Sequence, residues 1–153
     1  MSIFSIFQKK PHFSAAVNAR VVEAIRQAEL KTSGEIRVYV ESKNPLMDTV
    51  ERAKEVFYQL GMQQTTNRNA VLLYIAMKHR ELALYADEGI YEKTEPSYWA
   101  HAVEGMLAHF REEKFKEGII HCIHSIGETL KEKFPYDAAS DINELPNDIV
   151  FGD

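Results

Sequence analysis

The sequence predicts an α/β protein, a three-layer α/β/α sandwich around a small, mixed and mostly parallel sheet. A strand pattern at 35–41, a helix pattern and a second strand pattern at 70–77 follow one another, which is the order of a βαβ unit with parallel strands. The run 70–77 carries no charge and no alternation, as expected for a central strand that helices cover on both faces. A short polar break and an alternating run at 81–86 then predict a hairpin, which makes the sheet mixed.

Apolar residues spaced by three and four predict the helices around these strands. Ser14 is a candidate N-cap for the first helix, and Asp48 or Thr49 can cap the second. The four predicted helices cover approximately residues 14–32, 49–60, 95–113 and 115–134.

The charge of the chain is unevenly distributed. Its 153 residues have a net charge of −5, but the 19 residues 135–153 contain five acids and no Lys or Arg. The rest is balanced, with 18 acidic and 18 basic residues, so no basic excess favours nucleic-acid binding. We therefore divide the chain into an N-terminal extension at 1–13, one domain at 14–134, and an acidic tail at 135–153 that is extended or disordered.

Cysteine content and hydropathy bear on the compartment. A single cysteine, Cys122, excludes an intrachain disulfide and fits a reducing environment. No apolar run approaches the ~20 residues that span a bilayer. The apolar stretch 3–7 is too short for a signal peptide, and its lysines follow it rather than precede it. We expect a cytoplasmic protein without a transmembrane segment, either a monomer or a weak oligomer.

Oxygen-bearing residues are predicted to gather at one edge of the sheet. Glu35 and Asn69 begin or precede the two parallel strands, and Asp87 and Glu88 follow the antiparallel third strand. The topology places all these positions at the same end of the sheet. With the backbone of Gly89, they offer three carboxylates, an amide and a carbonyl, which are the ligands that calcium prefers. We name Glu35, Asn69, Asp87, Glu88 and Gly89 the acidic corner, and we predict a calcium site there.

Other constellations have simpler interpretations. Acids at a sheet edge are commonly solvated or paired with a cation, and Arg68 or Arg37 can serve here. His121 and His124 are three residues apart on one predicted helix, but no third metal ligand is placed by spacing. Cys122 adjoins His121, yet neighbouring helical positions do not face each other, so a Cys–His nucleophile is disfavoured.

The order of several short motifs resembles the TPM domain family across approximately residues 15–134. The residues that carry the resemblance are 34–40, 53–57, 60–62, 68–73, 87–90, 110–118 and Gly127. The resemblance implies an α/β/α sandwich with calcium bound at acidic loops on one sheet edge. It also implies an acid phosphatase activity, assigned to relatives in photosystem II repair, or a membrane-attached accessory role.

The chain departs from the family pattern at the acidic corner. The family often has Asp–Asn–Gly before the central strand, whereas this chain has Arg68–Asn69–Ala70. A cation at position 68 weakens the binding of a divalent ion by repulsion.

Three functions follow as hypotheses. The leading one is a small binding or accessory module that binds a divalent cation, calcium, at the acidic corner. The second is a metal-assisted phosphomonoesterase in which Arg68 holds phosphate. The third is a metal-free domain that binds a protein partner.

Overall fold

The computed structural model describes residues 14–45, 48–137 and 144–152. The predicted N-terminal extension, 1–13, lies outside this part of the chain. The described residues form five helices, one 3₁₀ turn at Met62–Gln64 and four strands. The helices are α1 (Ala15–Glu29), α2 (Thr49–Gln59), α3 (Glu88–Tyr91), α4 (Pro96–Arg111) and α5 (Phe115–Lys133). The strands are β1 (Glu35–Glu41), β2 (Ala70–Ala76), β3 (Glu81–Ala86) and β4 (Val150–Phe151).

The sheet is mixed and mostly parallel, as predicted. Its order is β3-β2-β1-β4, with β1 parallel to both β2 and β4 and with β3 antiparallel to β2. Glu35 is in register with Ala70, and Val71 is in register with Ala86. The starts of β1 and β2 and the end of β3 therefore share one edge, which we call the amino edge.

Helices cover both faces of the sheet, which confirms the three-layer sandwich. One core packs α1, α4 and α5 against the face that carries Ile36, Val38, Val71 and Leu73. The other core packs α2 against the face that carries Ala70, Leu72 and Tyr74. Side chains alternate between faces along a strand. Two cores on opposite faces explain why β2 is apolar throughout.

The helix caps follow the sequence prediction. Ser14 Oγ accepts a hydrogen bond from the backbone N–H of Val17 at 3.2 Å, and Asp48 Oδ1 accepts one from Val50 at 2.9 Å. Each bond satisfies a donor that the first helical turn leaves without a partner. The short helix α3 was not predicted, and Asp87 caps it by accepting from the N–H of Glu88 at 2.8 Å. Among the described residues, no helix is long and apolar enough to cross a membrane.

The prediction that 135–153 is an extended or disordered appendage is wrong for residues 144–152. These residues are packed on the domain: Val150 and Phe151 pair with Tyr39 and Val40, and Ile149 is buried in the core. Two strand residues and one large apolar residue give too short a pattern to distinguish a strand from a tail. Residues 138–143 lie outside the described part of the chain.

Two glycines of α5 mark close approaches between helices. A Cβ on Gly127 would lie 2.8 Å from the Cβ of Ala28 on α1, and one on Gly118 would lie 2.8 Å from the Cβ of His109 on α4. The structure shows that these glycines allow close packing of α5 on its two neighbouring helices.

Glycine-to-alanine changes at two helical positions should have opposite effects on stability. Gly127→Ala should lower the free energy of unfolding, because the added methyl meets the rigid Ala28 Cβ. Gly105→Ala on α4 should raise it by about 0.5–1 kcal/mol, because no atom lies within 4 Å of the new Cβ. Urea unfolding of both variants measures the difference, and equal effects of the same sign would contradict the helix packing described.

Candidate functional site

The backbone brings the three segments of the acidic corner together, as the sequence predicted. The N–H of Glu35 donates to the carbonyl of Asn69 at 3.4 Å, and the N–H of Asp87 donates to the carbonyl of Ala70 at 2.9 Å. Glu35, Asn69 and Asp87 are each at most 2% exposed. Glu88 is the exposed member of the set. The corner thus holds two buried carboxylates, which need charge or hydrogen-bond partners.

Arg68 neutralises Asp87 through a bidentate ion pair. Arg68 Nε donates to Asp87 Oδ2 at 2.6 Å, and Nη2 donates to Oδ1 at 2.8 Å. Nη1 lies 3.5 Å from a carboxylate oxygen of Glu88. The hydrogen bonding of Arg68 to Asp87 is the main cause of an Arg68 pKa above its ordinary value. A guanidinium therefore occupies the side of Asp87 on which we predicted a calcium ion.

The backbone around Arg68 is shaped to hold this arrangement. Arg68 has a left-handed conformation, with φ at +51°, which few residues other than glycine adopt. Its carbonyl accepts a hydrogen bond from the N–H of Gly89 at 2.8 Å. A Cβ on Gly89 would lie only 2.2 Å from the carbonyl oxygen of Asn67. Gly89 is thus required by the close approach of the loop that carries Arg68.

Both carboxylate oxygens of Glu35 accept hydrogen bonds from the segment that follows the predicted domain. Its Oε2 accepts from the N–H of Glu144 and its Oε1 accepts from the N–H of Leu145, both at 3.1 Å. The Glu144 carboxylate in turn accepts from the N–H and hydroxyl of Thr66, at 3.1 and 2.9 Å. Glu35 therefore anchors residues 144–145 to the amino edge.

Asn69 belongs to the other face of the sheet. Strand alternation places it with Val71 on the face of α1 and α5, whereas Glu35 lies with Ala70 on the face of α2. Consistent with this, Asn69 Nδ2 donates to the hydroxyl of Ser33 at 3.3 Å. Its Oδ1 is buried and has no hydrogen-bond partner among the described residues.

The donor set, as arranged, does not fit a calcium ion. Calcium requires six to eight oxygens. The carboxylates of Asp87 and Glu35 are buried, and each of their four oxygens already accepts a hydrogen bond. Within 14–45, 48–137 and 144–152, no three His, Cys, Asp or Glu side chains form a group that could hold a metal. The prediction of a shared edge is confirmed, while calcium binding by these residues stays a prediction.

Sequence reasoning missed a second buried charge network, at the opposite edge of the sheet. Glu41 ends β1 and accepts from Arg52 Nε at 2.8 Å and from Arg52 Nη2 at 2.9 Å. The buried hydroxyl of Tyr74 also donates to Glu41, and Arg52 Nη1 donates to Glu55. Burial, followed by this bond to Glu41, raises the pKa of Tyr74. The main cause of the raised Arg52 pKa is the hydrogen bond to Glu41.

The histidines and the cysteine do not form a nucleophilic site among the described residues. The ring of His121 lies next to that of His109, with 5.6 Å between centroids, rather than in a pair with His124. Cys122 is buried in the core, and that burial raises the pKa of its thiol to about 12. The expectation that Cys122 and His121 do not cooperate agrees with this burial, since thiolates are the reactive form.

Comparisons with known proteins agree with the architecture. The family model described as the TPM domain matches residues 7–129. No protein in the curated set matches this chain.

Three solved structures share the fold. The NMR structure of the BA42 protein from the psychrophilic bacterium Bizionia argentinensis is 35% identical, covers 92% of this chain and 96% of its own, and has a TM-score of 0.84. An N-terminal domain from P. gingivalis is 17% identical, with 80% and 78% coverage and a TM-score of 0.65. The N-terminal domain of cg2496 from Corynebacterium glutamicum is 12% identical, with 79% and 76% coverage and a TM-score of 0.62.

Replacing Glu35 should release the segment that it anchors. We expect Glu35→Gln to lower the free energy of unfolding by about 1–2 kcal/mol, because the amide offers one acceptor oxygen where the carboxylate offers two. Hydrogen exchange at the N–H groups of Glu144 and Leu145 should accelerate. Glu104→Gln, on the exposed side of α4, is the matched control. Unchanged exchange at both amides in Glu35→Gln would show that Glu35 is not the anchor.

Cys122 should be inert in the folded protein. Its pKa of about 12 keeps the thiol protonated, and its burial blocks access. An alkylating reagent at mildly alkaline pH should modify the thiol only after denaturant is added, as followed by mass spectrometry. Rapid alkylation without denaturant would contradict the packing of α5.

Proposed function

Because this chain belongs to the TPM domain family, we propose that it is a binding or accessory module whose acidic corner works without a bound cation. The observation that carries the proposal is the bidentate pair between Arg68 and Asp87. A buried carboxylate requires a positive or hydrogen-bonding partner, and Arg68 supplies both within the chain. The partner of the module is a protein of unknown identity, and the cytoplasmic location stays a prediction.

Rigidity at this corner supports a role in presenting a surface. Asp87 joins Arg68 to the first turn of α3, and Glu35 fixes residues 144–145. Four segments of the chain are therefore held in two pairs by charged hydrogen bonds, which are stronger than neutral ones. Pre-organised surfaces lose little entropy on binding a partner.

A calcium-binding module is the second candidate, and one observation favours it. Asn69 Oδ1 is buried without a partner among the described residues, and a buried acceptor of this kind is commonly satisfied by an ion or an ordered water. Calcium at the corner would have to replace Arg68 at Asp87, and Asn69 would have to turn from the opposite face of the sheet to reach the same ion. The two candidates therefore differ in whether Arg68 leaves its carboxylate.

A phosphatase at this corner has less support. Arg68 was the residue proposed to hold phosphate. Its Nε and Nη2, the two donors that would form a bidentate contact, already donate to Asp87. Phosphate would have to displace that buried carboxylate and leave it unpaired, which is costly.

Calcium should leave the melting temperature of the wild-type protein unchanged at millimolar concentration. In Arg68→Gln the melting temperature should fall without calcium, because buried Asp87 loses its charge partner. Added calcium should then restore part of that loss, because the vacated side of Asp87 accepts a cation. Differential scanning calorimetry with calcium and with magnesium measures both effects.

Arg80→Gln is the matched control, because Arg80 is exposed and also has a left-handed backbone, with φ at +53°. It should respond to neither ion. A calcium-dependent rise in the wild-type melting temperature would overturn our proposal and favour the calcium-binding module. Turnover of an aryl phosphate that disappears in Asp87→Ala would instead favour the phosphatase.

A further inference from the structure

A cleft of about 420 Å³ lies at the edge of the sheet opposite the acidic corner. Its lining comprises Tyr39, Glu41, Ser42, Lys43, Pro45 and Arg52. Its volume is within the range of small-molecule sites. The test of this cleft is independent of the proposal about Arg68, because the two sites lie at opposite ends of β1.

The topology places the cleft where open α/β sheets commonly bind ligands. β1 is parallel to β2 on one side and to β4 on the other. The chain leaves β1 towards β2 through α2, whereas β4 follows α5. The strand order therefore reverses beside β1, and the carboxyl end of β1 lines the cleft at this reversal.

The Glu41–Arg52 pair fixes the inner wall of the cleft. The side chains of Arg52 and Glu41 are only 11% and 5% exposed. Arg52 neutralises Glu41 there and donates two hydrogen bonds to it, and the hydroxyl of Tyr74 donates a third. The ring of Tyr39 stacks on Tyr74, with 6.1 Å between centroids and planes 17° apart. The wall is thus rigid before any ligand arrives.

The groups that this wall leaves available are hydrogen-bond donors. A guanidinium has five N–H donors. Arg52 uses three of them on Glu41 and Glu55 and also forms a hydrogen bond with Tyr74. Lys43 is exposed and forms no ion pair with any residue that the structure describes. The hydroxyl of Ser42 adds a further donor at the same wall. A ligand that complements these groups presents negatively charged oxygens.

We propose that this cleft binds a small oxyanion-bearing molecule, a carboxylate or a phosphate, held by Arg52, Lys43 and Ser42. The flat face of Tyr39 accommodates the organic part of such a ligand. Glu55 is the competing anion, since it takes Arg52 Nη1 and its side chain is 45% exposed. Because the Glu55 side chain is exposed, it can move into solvent and leave Arg52 Nη1 to the ligand.

Two substitutions on the cleft should change affinity in opposite directions. Inorganic phosphate and benzoate are titrated separately into the ¹⁵N-labelled full chain at constant ionic strength, with chemical shifts followed at Ser42, Lys43 and Arg52. Lys43→Gln should weaken binding about fivefold, the effect of losing one solvent-exposed ion contact. Glu55→Gln should tighten binding about threefold, because it removes the competing carboxylate from Arg52. Lys131→Gln, an exposed lysine on α5, should change nothing.

Each outcome decides the proposal. Binding of phosphate alone or of benzoate alone supports it and identifies the source of the oxyanion. No shift at the cleft with either probe at tens of millimolar would overturn it. Equal weakening in Lys43→Gln and Lys131→Gln would show only non-specific attraction between charges. If Glu55→Gln binds the probes no more tightly than the wild type, Arg52 does not contact the ligand, and the proposed site is wrong.

Discussion

The carboxylate of Asp87 is the group on which the amino edge of this sheet depends. It is 2% exposed, and an ionised carboxylate at that depth is unstable without a positive partner. Arg68 provides the partner, and the pair ties the loop before β2 to the first turn of α3. A left-handed backbone at Arg68 and the absence of a side chain at Gly89 are the local conditions that allow the pair to form.

The same physical requirement organises the opposite edge. Glu41 is buried at the end of β1, and Arg52 and Tyr74 neutralise it from α2 and β2. β1 lies between β2 and β4 with helices on both faces, and its two buried acids, Glu35 and Glu41, lie at its two ends. Each buried acid of β1 is consequently matched to a donor from another element. At the amino end the donors are backbone amides, and at the carboxyl end they belong to an arginine, which lines a cleft.

The sequence was sufficient for the sandwich, the parallel pair, the hairpin and the shared edge, because hydrophobic period and chain order determine them. The sequence did not allow us to predict which groups pair with the buried charges. Arg68 was recognised as a possible partner of Asp87, but its backbone conformation cannot be read from its residue type. Glu35 was assigned to a metal because its actual partners, the N–H groups of Glu144 and Leu145, lie more than a hundred residues away. β4 contributes two residues and left no periodic signal, so the burial of Glu41 beside it was not apparent.

If Arg68 takes the place of a cation at Asp87, the Arg68 Nε–H resonance reports the pair itself. We expect a slowly exchanging Nε–H signal that millimolar calcium leaves unchanged and that Asp87→Asn exposes to rapid exchange. A wild-type signal that calcium shifts or abolishes would mean that the ion displaces the guanidinium from the carboxylate, and Arg68 would then not replace a cation.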